Sequence, residues 1–301
     1  MTGAEAGFLL LTSPLGNPDR KVLTSAQLRI LSGRVRTAEK DSTQRDLTQA
    51  DLLAMGYGRE MADRILRLLE EEELLRYYCR RGEKQNCLPL TRVTEGYPKS
   101  LRRHLGEETP GCLWCKGDLT LLWQPKVALV GSRDLLEKNR RFAHAVGRQA
   151  ARQGYVLVSG NARGADQAAQ NACLRAGGKV ICVVADSLEE KPLRENVLYI
   201  SEDGFDCPFT AQRAISRNRV IHALADMTFV AQCGLQTGGT WDGTAKNLRF
   251  GWSSVYCFAD GSPASMLLQE MGAEGILETE LENFKALSRQ TAGFLHENWE
   301  E

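Results

Sequence analysis

Short apolar runs alternate with helical patterns in the middle of the chain, and this alternation constrains the fold more than any other feature. Residues 127–130 form an apolar run of buried-strand length that ends in glycine, serine and arginine. A polar helical pattern over about 135–153 follows, and a second apolar run at 155–158 ends in Ser159 and Gly160. Two strands that flank a helix form a βαβ unit, whose parallel strands end at one edge of the sheet. That edge is where open α/β sheets bind ligands.

The same alternation continues to about residue 271. Further apolar runs of strand length stand at 179–184, 197–201, 226–232 and 254–259. Further helical patterns stand at 164–176, 211–224, 240–250 and 263–271. Strands that alternate with helices predict an α/β fold with a doubly wound, mostly parallel sheet.

The first part of the chain lacks this alternation and is helical in pattern. Thr48 is a candidate N-cap, and glycines at 56 and 58 interrupt a stretch of apolar residues at helical spacing. A chain of 301 residues is long enough for two domains. We therefore predict a small helical domain over 1–87, an α/β domain over 88–285 and an acidic tail over 286–301.

Both ends of the chain are expected to be accessory. A helix, a glycine-containing turn and a second helix are also found in small modules that bind the DNA backbone. The acidic run from Glu70 to Glu73 argues against such contact, so we favour a packing or adaptor role for the helical domain. The acidic segment from Gly275 to Glu301 is expected to be peripheral.

The overall charge of the chain is balanced, with 38 lysines and arginines against 38 aspartates and glutamates. A polyanionic partner would therefore need a local basic patch. No apolar run approaches the roughly 20 residues that a membrane span requires. The apolar run at 8–11 lacks the length and basic flank of a signal peptide. We therefore expect a cytoplasmic protein that does not bind a membrane.

Nine cysteines with scattered spacing indicate reduced thiols. Cys112 and Cys115 form a C-x-x-C pair, which Cys79 and Cys87 could complete as a zinc site. Cys79 and Cys87 are eight residues apart, whereas structural zinc sites use two close pairs. We expect buried or semi-buried thiols here, and neither a metal nor a redox pair.

Four polar clusters follow predicted strands or open predicted helices. Their residues are Gly131, Ser132 and Arg133; Ser159, Gly160, Asn161, Arg163, Gly164 and Asp166; Ser201 and Glu202 with Arg217, Asn218 and Arg219; and Thr237, Gly238, Gly239 and Thr240. Helix-start amides, hydroxyls and arginines together favour a phosphate-bearing ligand. Taken singly, each cluster has a structural explanation, such as an ion pair of Arg217 or Arg219 with Glu202 or Asp226. Neither a Walker A motif nor G-x-G-x-x-G is present, which argues against a P-loop NTPase and an ordinary dinucleotide site.

The order of these motifs resembles the DNA-processing protein A (DprA/Smf) family. The resemblance rests on G-S-R at 131–133, S-G-x-A-x-G-x-D at 159–166, S-E at 201–202, R-N-R at 217–219 and the T-G-G-T segment at 237–240. Flanking motifs agree, including Tyr97-Pro98 and the segment from Leu113 to Gly117, so that the likeness covers about 88–285.

The resemblance implies an extended Rossmann-like fold, a homodimer, and binding of single-stranded DNA. It also implies loading of a RecA-type recombinase in DNA uptake and recombination, as in natural transformation. Carried over by motif, the DNA-facing residues are Ser132, Arg133, Ser159, Gly160, Arg163, Arg217, Asn218, Arg219, Thr237, Gly238 and Thr240. The residues themselves form no catalytic constellation, so we expect a protein without catalytic residues, cofactor or metal, although an enzyme is still an alternative.

The chain departs from the family pattern in ways that indicate a divergent member. Gln170 replaces a histidine that is usual after the S-G-x-A-x-G-x-D motif, and the segment 186–201 is short. The last motif carries two extra residues, and no winged helix is expected after the sheet.

Two other functions remain open. A sensor could bind a small nucleotide without catalysis. A phosphoribohydrolase-like enzyme of the same superfamily would have G-G-x-G-T followed closely by a glutamate, and here Asp242 or Glu202 would have to replace that carboxylate. Candidate platforms for stacked bases are Phe209, Trp241 and Phe250, although we expect each to lie in the core.

Overall fold

Helices make up the first part of the molecule. The computed structural model describes residues 1–38 and 46–287. Five described helices precede the first strand, namely α1 (Gly3–Thr12), α2 (Ser25–Thr37), α3 (Gln49–Ala54), α4 (Arg59–Glu70) and α5 (Glu72–Lys84). Thr48 is the N-cap of α3, because its hydroxyl accepts a hydrogen bond from the Asp51 amide while the Asp51 carboxylate accepts one from the Thr48 amide. The predicted helix start is confirmed.

Strands and helices alternate through most of the rest of the described chain. The strands are β1 (Leu88–Thr91), β2 (Cys112–Gly117), β3 (Lys126–Val130), β4 (Val156–Ser159), β5 (Lys179–Val183), β6 (Val197–Ser201), β7 (Met227–Val230), β8 (Ser254–Phe258) and β9 (Glu274–Ile276). The helices are α6 (Lys99–Leu105), α7 (Glu137–Arg152), α8 (Ala165–Arg175), α9 (Ala211–Ser216), α10 (Asn218–Leu224), α11 (Gly238–Phe250) and α12 (Pro263–Glu270). Short 3₁₀ helices lie at Gly106–Glu108, Leu119–Trp123 and Glu278–Glu282. The strands β5 and β6 follow each other directly.

All described strands belong to one sheet in the order β1-β2-β6-β5-β4-β3-β7-β8-β9. The pairs β1–β2 and β2–β6 are antiparallel, and every other pair is parallel. The order reverses direction at β3, whose neighbours are β4 and β7. Two large clusters of buried apolar side chains take alternate residues of the central strands. The predicted doubly wound, mostly parallel sheet is confirmed as a Rossmann-like fold, with its switch point at β3.

The predicted helix over 211–224 is wrong in one respect, because two helices occupy that range. The chain leaves α9 at Arg217 and enters α10 at Asn218. At the junction the Val220 amide donates to the Arg217 carbonyl, which is the tight bond of a 3₁₀ turn. One such turn hardly changes the spacing of apolar residues, so the sequence pattern predicts a single helix across the junction.

The helical segment packs against the antiparallel side of the sheet. Tyr78 on α5 packs against Phe205 with tilted rings and meets Trp114 of β2 edge to face. Its hydroxyl donates to Asp206 at 2.6 Å, and Arg81 forms an ion pair with the same carboxylate. The first helices are therefore fixed to the loop that follows β6.

The expectation of a peripheral segment from Gly275 is wrong for its first part. Leu281, Phe284 and Leu287 are buried, and Phe284 packs its ring against Tyr155 and Phe229. The segment is acidic overall, but it also carries apolar residues at 281, 284 and 287, and these pack into the core. The remainder of the predicted acidic tail, 288–301, lies outside the described residues.

Cys112 and Cys115 are buried in β2, as predicted. Side chains three apart on a strand point to opposite faces, and the two thiols belong to different core clusters. Burial raises the pKa of both thiols. Within residues 1–38 and 46–287 no group of three or more His, Cys, Asp or Glu side chains could hold a metal ion. In the same residues no helix combines the length and apolar character needed to cross a bilayer.

The close contact of α7 with α8 gives a stability prediction. A β-carbon at Gly147 would lie 2.1 Å from the Ala169 carbonyl oxygen, so Gly147→Ala must push the helices apart. We expect a loss of about 1–3 kcal/mol in the free energy of unfolding, measured with urea. A β-carbon at the helical Gly33 would meet no described atom within 4 Å, so Gly33→Ala should instead add about 0.5–1 kcal/mol. Equal effects of the two changes would contradict this account of the contact.

Candidate functional site

A cavity of about 590 Å³ opens at the switch point, where β3 and β7 end side by side. We call it the switch-point cavity. The predicted residues that line it are Gly131, Ser132, Arg133, Asp166, Arg217, Asn218, Thr237, Gly238, Gly239 and Thr240. The predicted residues outside its lining are Ser159, Gly160, Asn161, Arg163, Gly164, Ser201, Glu202 and Arg219. The structure thus brings members of all four clusters to the cavity. The residues that it leaves outside belong to two clusters, the one at 159–166 and the one formed by 201–202 and 217–219.

Arg217 is the central charge of the cavity. Its side chain is buried, with 7% of the residue exposed, and its buried Nε has no hydrogen-bond partner among the described residues. Burial lowers the pKa of the guanidinium, and the Asp166 carboxylate opposes that shift. A buried donor without an acceptor destabilises the site, and an anion in the cavity would offset the cost of burying the guanidinium charge.

Gly160 makes room for this guanidinium. A β-carbon at Gly160 would lie 1.5 Å from Nη1 of Arg217, so any side chain there would have to displace the guanidinium. Gly160 therefore supports the site from beneath Arg217 without lining the cavity.

Asp166 organises the loop after β4. Its carboxylate accepts hydrogen bonds from the amides of Gly160 at 3.0 Å and Ala162 at 3.1 Å. Burial raises the pKa of this carboxyl, against the opposing effect of Arg217. Because Asp166 occupies these two amides, the loop presents fewer N–H groups to a ligand than its glycines suggest.

Other residues of the same cluster also hold the backbone. Ser159 is buried, and its hydroxyl accepts a hydrogen bond at 2.5 Å from Gln170, at the position where the family pattern has histidine. A β-carbon at Gly164 would lie within 2.4 Å of the carbonyl oxygens of Ser132 and Arg133, so the loop packs directly against the G-S-R segment. Asn161 and Arg163 lie on this loop outside the cavity lining.

The G-S-R segment is fixed by a residue that the sequence argument missed. The Ser132 amide donates to the Gln232 carbonyl at 2.9 Å, and the Gln232 side chain bonds the amide of Leu136 and the carbonyl of Asp134. Gln232 lies two residues after β7, just as Ser132 lies two residues after β3. Its position at a strand end could therefore have identified it from the sequence as a residue of the site. Arg133 remains exposed on the cavity wall.

The helix α11 begins at the cavity. The Thr237 side chain makes no capping bond within the described chain, so first-turn amides of α11 remain for a ligand. Asn218 holds this helix start in place by donating to the Gly239 carbonyl at 3.0 Å. The partial positive charge of a helix N-terminus adds to the charge of Arg217 and favours an anion.

Arg219 and Glu202 form a partly buried ion pair away from the switch-point cavity. The guanidinium bonds both carboxylate oxygens, at 2.6 and 3.2 Å, and also the Ser216 hydroxyl. Burial raises the Glu202 pKa, and Arg219 opposes the shift. Ser201 is likewise occupied, since its hydroxyl accepts a hydrogen bond from Arg213. The structure therefore gives these predicted ligand residues a structural pairing.

The carboxylates that could serve a hydrolase are both paired. Glu202 is held by Arg219, and Asp242 forms an ion pair with Lys246 at 2.9 Å.

Part of the cavity lining is apolar. This apolar lining comes from α9 and from a residue two positions before it; the residues are Phe209, Ala211, Ala214 and Ile215. The expectation that Phe209 lies in the core is wrong, because 55% of it is exposed. The preceding loop is held at the surface by Arg213, which bonds the carbonyls of residues 185, 207 and 208.

The other two aromatic candidates differ from each other. Phe250, also expected in the core, is 56% exposed because it is the last residue of α11, where the helix leaves the sheet. Trp241 is partly buried against the core, as expected.

His222 lines the cavity as a buried, neutral ring. The Ser253 amide donates to Asn247 Oδ1, which orients the Asn247 amide so that Nδ2 donates to His222 Nδ1 at 3.1 Å. Nδ1 is then an acceptor, and the ring proton lies on Nε2. Burial, together with the charge of Arg217, lowers the His222 pKa to about 3.

Comparison with known proteins places these features in a family. The family model described as DNA recombination-mediator protein A matches residues 89–247, more than half of the chain. DNA processing protein DprA of Streptococcus pneumoniae is 34% identical over 141 residues, which cover 44% of this chain and 50% of that protein. DNA processing protein DprA of Bacillus subtilis is 29% identical over 158 residues, or 49% and 52% of the two chains. The chain spans about half the length of the curated relatives it matches.

Solved structures show the same fold. DNA processing protein A from Streptococcus pneumoniae superposes with a TM-score of 0.70 at 23% identity, over 93% of this chain and 96% of that one. A structure of DNA processing protein A from Helicobacter pylori, described for its single-stranded DNA binding mode, superposes with a TM-score of 0.56 at 23% identity. It covers 69% of this chain and 96% of that one.

The buried His222 predicts a dependence of stability on pH. Its pKa in the folded protein, about 3, lies below the ordinary value of 6.5, so its contribution is complete above pH 6.5 and falls as the pH drops towards 3. Between about pH 7 and pH 5 this residue should remove about 2 kcal/mol of unfolding free energy. Urea unfolding of the wild type and His222→Gln at both pH values measures this difference. An equal loss in the two proteins would show that His222 does not cause it.

Proposed function

The chain belongs to the DNA recombination-mediator protein A family, and from this premise we propose that it binds single-stranded DNA at the switch-point cavity. The observation that carries the proposal is the buried Arg217, whose Nε has no partner among the described residues. A backbone phosphate would accept hydrogen bonds from this guanidinium and from the first-turn amides of α11. Arg133 on the exposed wall adds a second cation.

The shape of the cavity favours a single strand over a duplex. Arg217 as a whole is only 7% exposed, so it can be reached only by a chain that bends into the cavity. A flexible strand can do so and can turn an unpaired base towards the apolar lining formed by Phe209 and Ile215. A duplex keeps its bases stacked and paired, so it presents phosphates on a stiffer and wider surface.

Replacement of Arg217 tests the proposal. We expect Arg217→Ala to weaken binding of a fluorescent oligothymidylate by roughly 10- to 150-fold, because a charge-assisted hydrogen bond contributes about 1.5–3 kcal/mol. The slope of the logarithm of affinity against the logarithm of salt concentration should fall by about 0.7, the value for one lost phosphate contact on a single strand. Fluorescence anisotropy across a salt series measures both quantities.

Arg175→Ala is the matched control. Arg175 is an exposed arginine at the last residue of α8, whereas the first turn of that helix is at the cavity. The control should bind like the wild type. If the wild type binds no oligonucleotide even at low salt, the proposed function is wrong. Thermal stabilisation by a mononucleotide in that case would instead support the nucleotide sensor, and release of its base would support the hydrolase.

The family resemblance also implies partners, and we include them in the proposal. The chain would act in the cytoplasm as a homodimer and would load a RecA-type recombinase onto the bound strand during DNA uptake and recombination. Three large apolar side chains on the last described elements, Met266, Met271 and Leu277, are 56%, 42% and 52% exposed and could contribute to a contact between copies. Sedimentation of a monomer at all concentrations would contradict the dimer. An unchanged rate of recombinase assembly on the strand would contradict the loading role.

A further inference from the structure

A second cavity, of about 580 Å³, adjoins the switch-point cavity. Ile215 and Asn218 line both, so a strand that leaves one cavity can enter the other across these two residues. We call the second cavity the α11 groove, because Lys246, Arg249 and Phe250 of that helix line it.

Phe250 presents an aromatic ring in this groove. It ends α11, where Gly251 adopts a left-handed backbone (φ 64°) and donates its amide to the Asn247 carbonyl. Trp252 is buried and stacks with the Phe250 ring at a centroid distance of 5.8 Å and an interplanar angle of 18°. The helix end and Trp252 therefore hold the ring in place, while 56% of the residue remains exposed.

Positive charges flank this ring. The Arg249 guanidinium lies over the Phe250 ring, 5.3 Å from its centre, so it has to move aside for a base to stack on that face. Lys246, one helical turn earlier, is exposed and is paired with Asp242 at the surface. An exposed aromatic ring with cations beside it is the arrangement with which proteins bind single-stranded nucleic acid, since the ring stacks with a base and the cations contact the backbone.

We propose that the α11 groove binds an unpaired nucleobase of the same DNA strand, stacked on Phe250, with Arg249 contacting the adjoining phosphate. This inference rests on the proposed function and extends it by a second subsite. Every base has a π-face, so the subsite accepts any sequence. A base inside a duplex has both faces stacked on its neighbours, so the subsite selects single strands over duplexes.

Abasic DNA separates the base from the backbone. Affinities are measured by fluorescence anisotropy for oligothymidylate and for a backbone of equal length whose sugars carry no bases. We expect the wild type to prefer the base-bearing strand, and Phe250→Ala to weaken its binding by between about 5-fold and about 150-fold. The same variant should bind the abasic strand like the wild type. Phe250→Leu should resemble Phe250→Ala if stacking, rather than apolar area, provides the affinity.

The control is Tyr77→Ala, which removes another exposed aromatic residue, from α5. It should leave both affinities unchanged. Equal weakening of both strands by Phe250→Ala, or a wild type that binds both strands alike, would overturn the subsite while leaving phosphate binding by Arg217 intact. Absence of binding to either strand would overturn the proposed function itself, and the subsite with it.

Discussion

The burial of the Arg217 guanidinium is the constraint on which the rest of the site depends, because the neighbouring residues must make room for it and compensate its charge. Removing a charge from water is unfavourable unless other groups compensate it. Gly160 offers no side chain, so the guanidinium can lie against the backbone. Asp166 supplies a negative charge nearby, but its carboxylate is already bonded by two amides. The start of α11 adds a partial positive charge to the same cavity. The site thus has an excess of positive charge that an anionic ligand would balance.

Pairing of charges explains how a chain of balanced composition can present such a site. Arginines that hold the architecture are paired with carboxylates, as Arg219 is with Glu202 and Arg213 with Asp203. The whole-chain balance of 38 basic and 38 acidic residues therefore says little about any one surface. An anionic ligand binds where a cation has no carboxylate close enough to pair with it. Which cations these are depends on the local packing around each one.

The sequence predicted the sheet and its polar edge because both depend on short-range patterns. Apolar runs of strand length locate β3 to β8, and parallel strands must end at the same edge. The sequence could not show which arginine of the R-N-R motif faces a ligand. On helical backbone, successive residues are rotated by about 100°, so Arg217 and Arg219 point to nearly opposite sides. One enters the cavity and the other meets Glu202. The pairing of Asp166 with loop amides likewise depends on contacts that residue types alone do not specify.

The attachment of the first helices to the loop after β6 has an entropic consequence for binding. That loop leads to Phe209 and α9, which form the apolar lining of the switch-point cavity. Tyr78 and Arg81 hold Asp206 in the loop, and Arg213 bonds several of its carbonyls. The conformational freedom of this wall is therefore lost during folding and need not be lost again when a ligand enters. None of the described residues of the helical segment lines that cavity, yet by preorganising one of its walls the segment would add to the affinity for the proposed ligand.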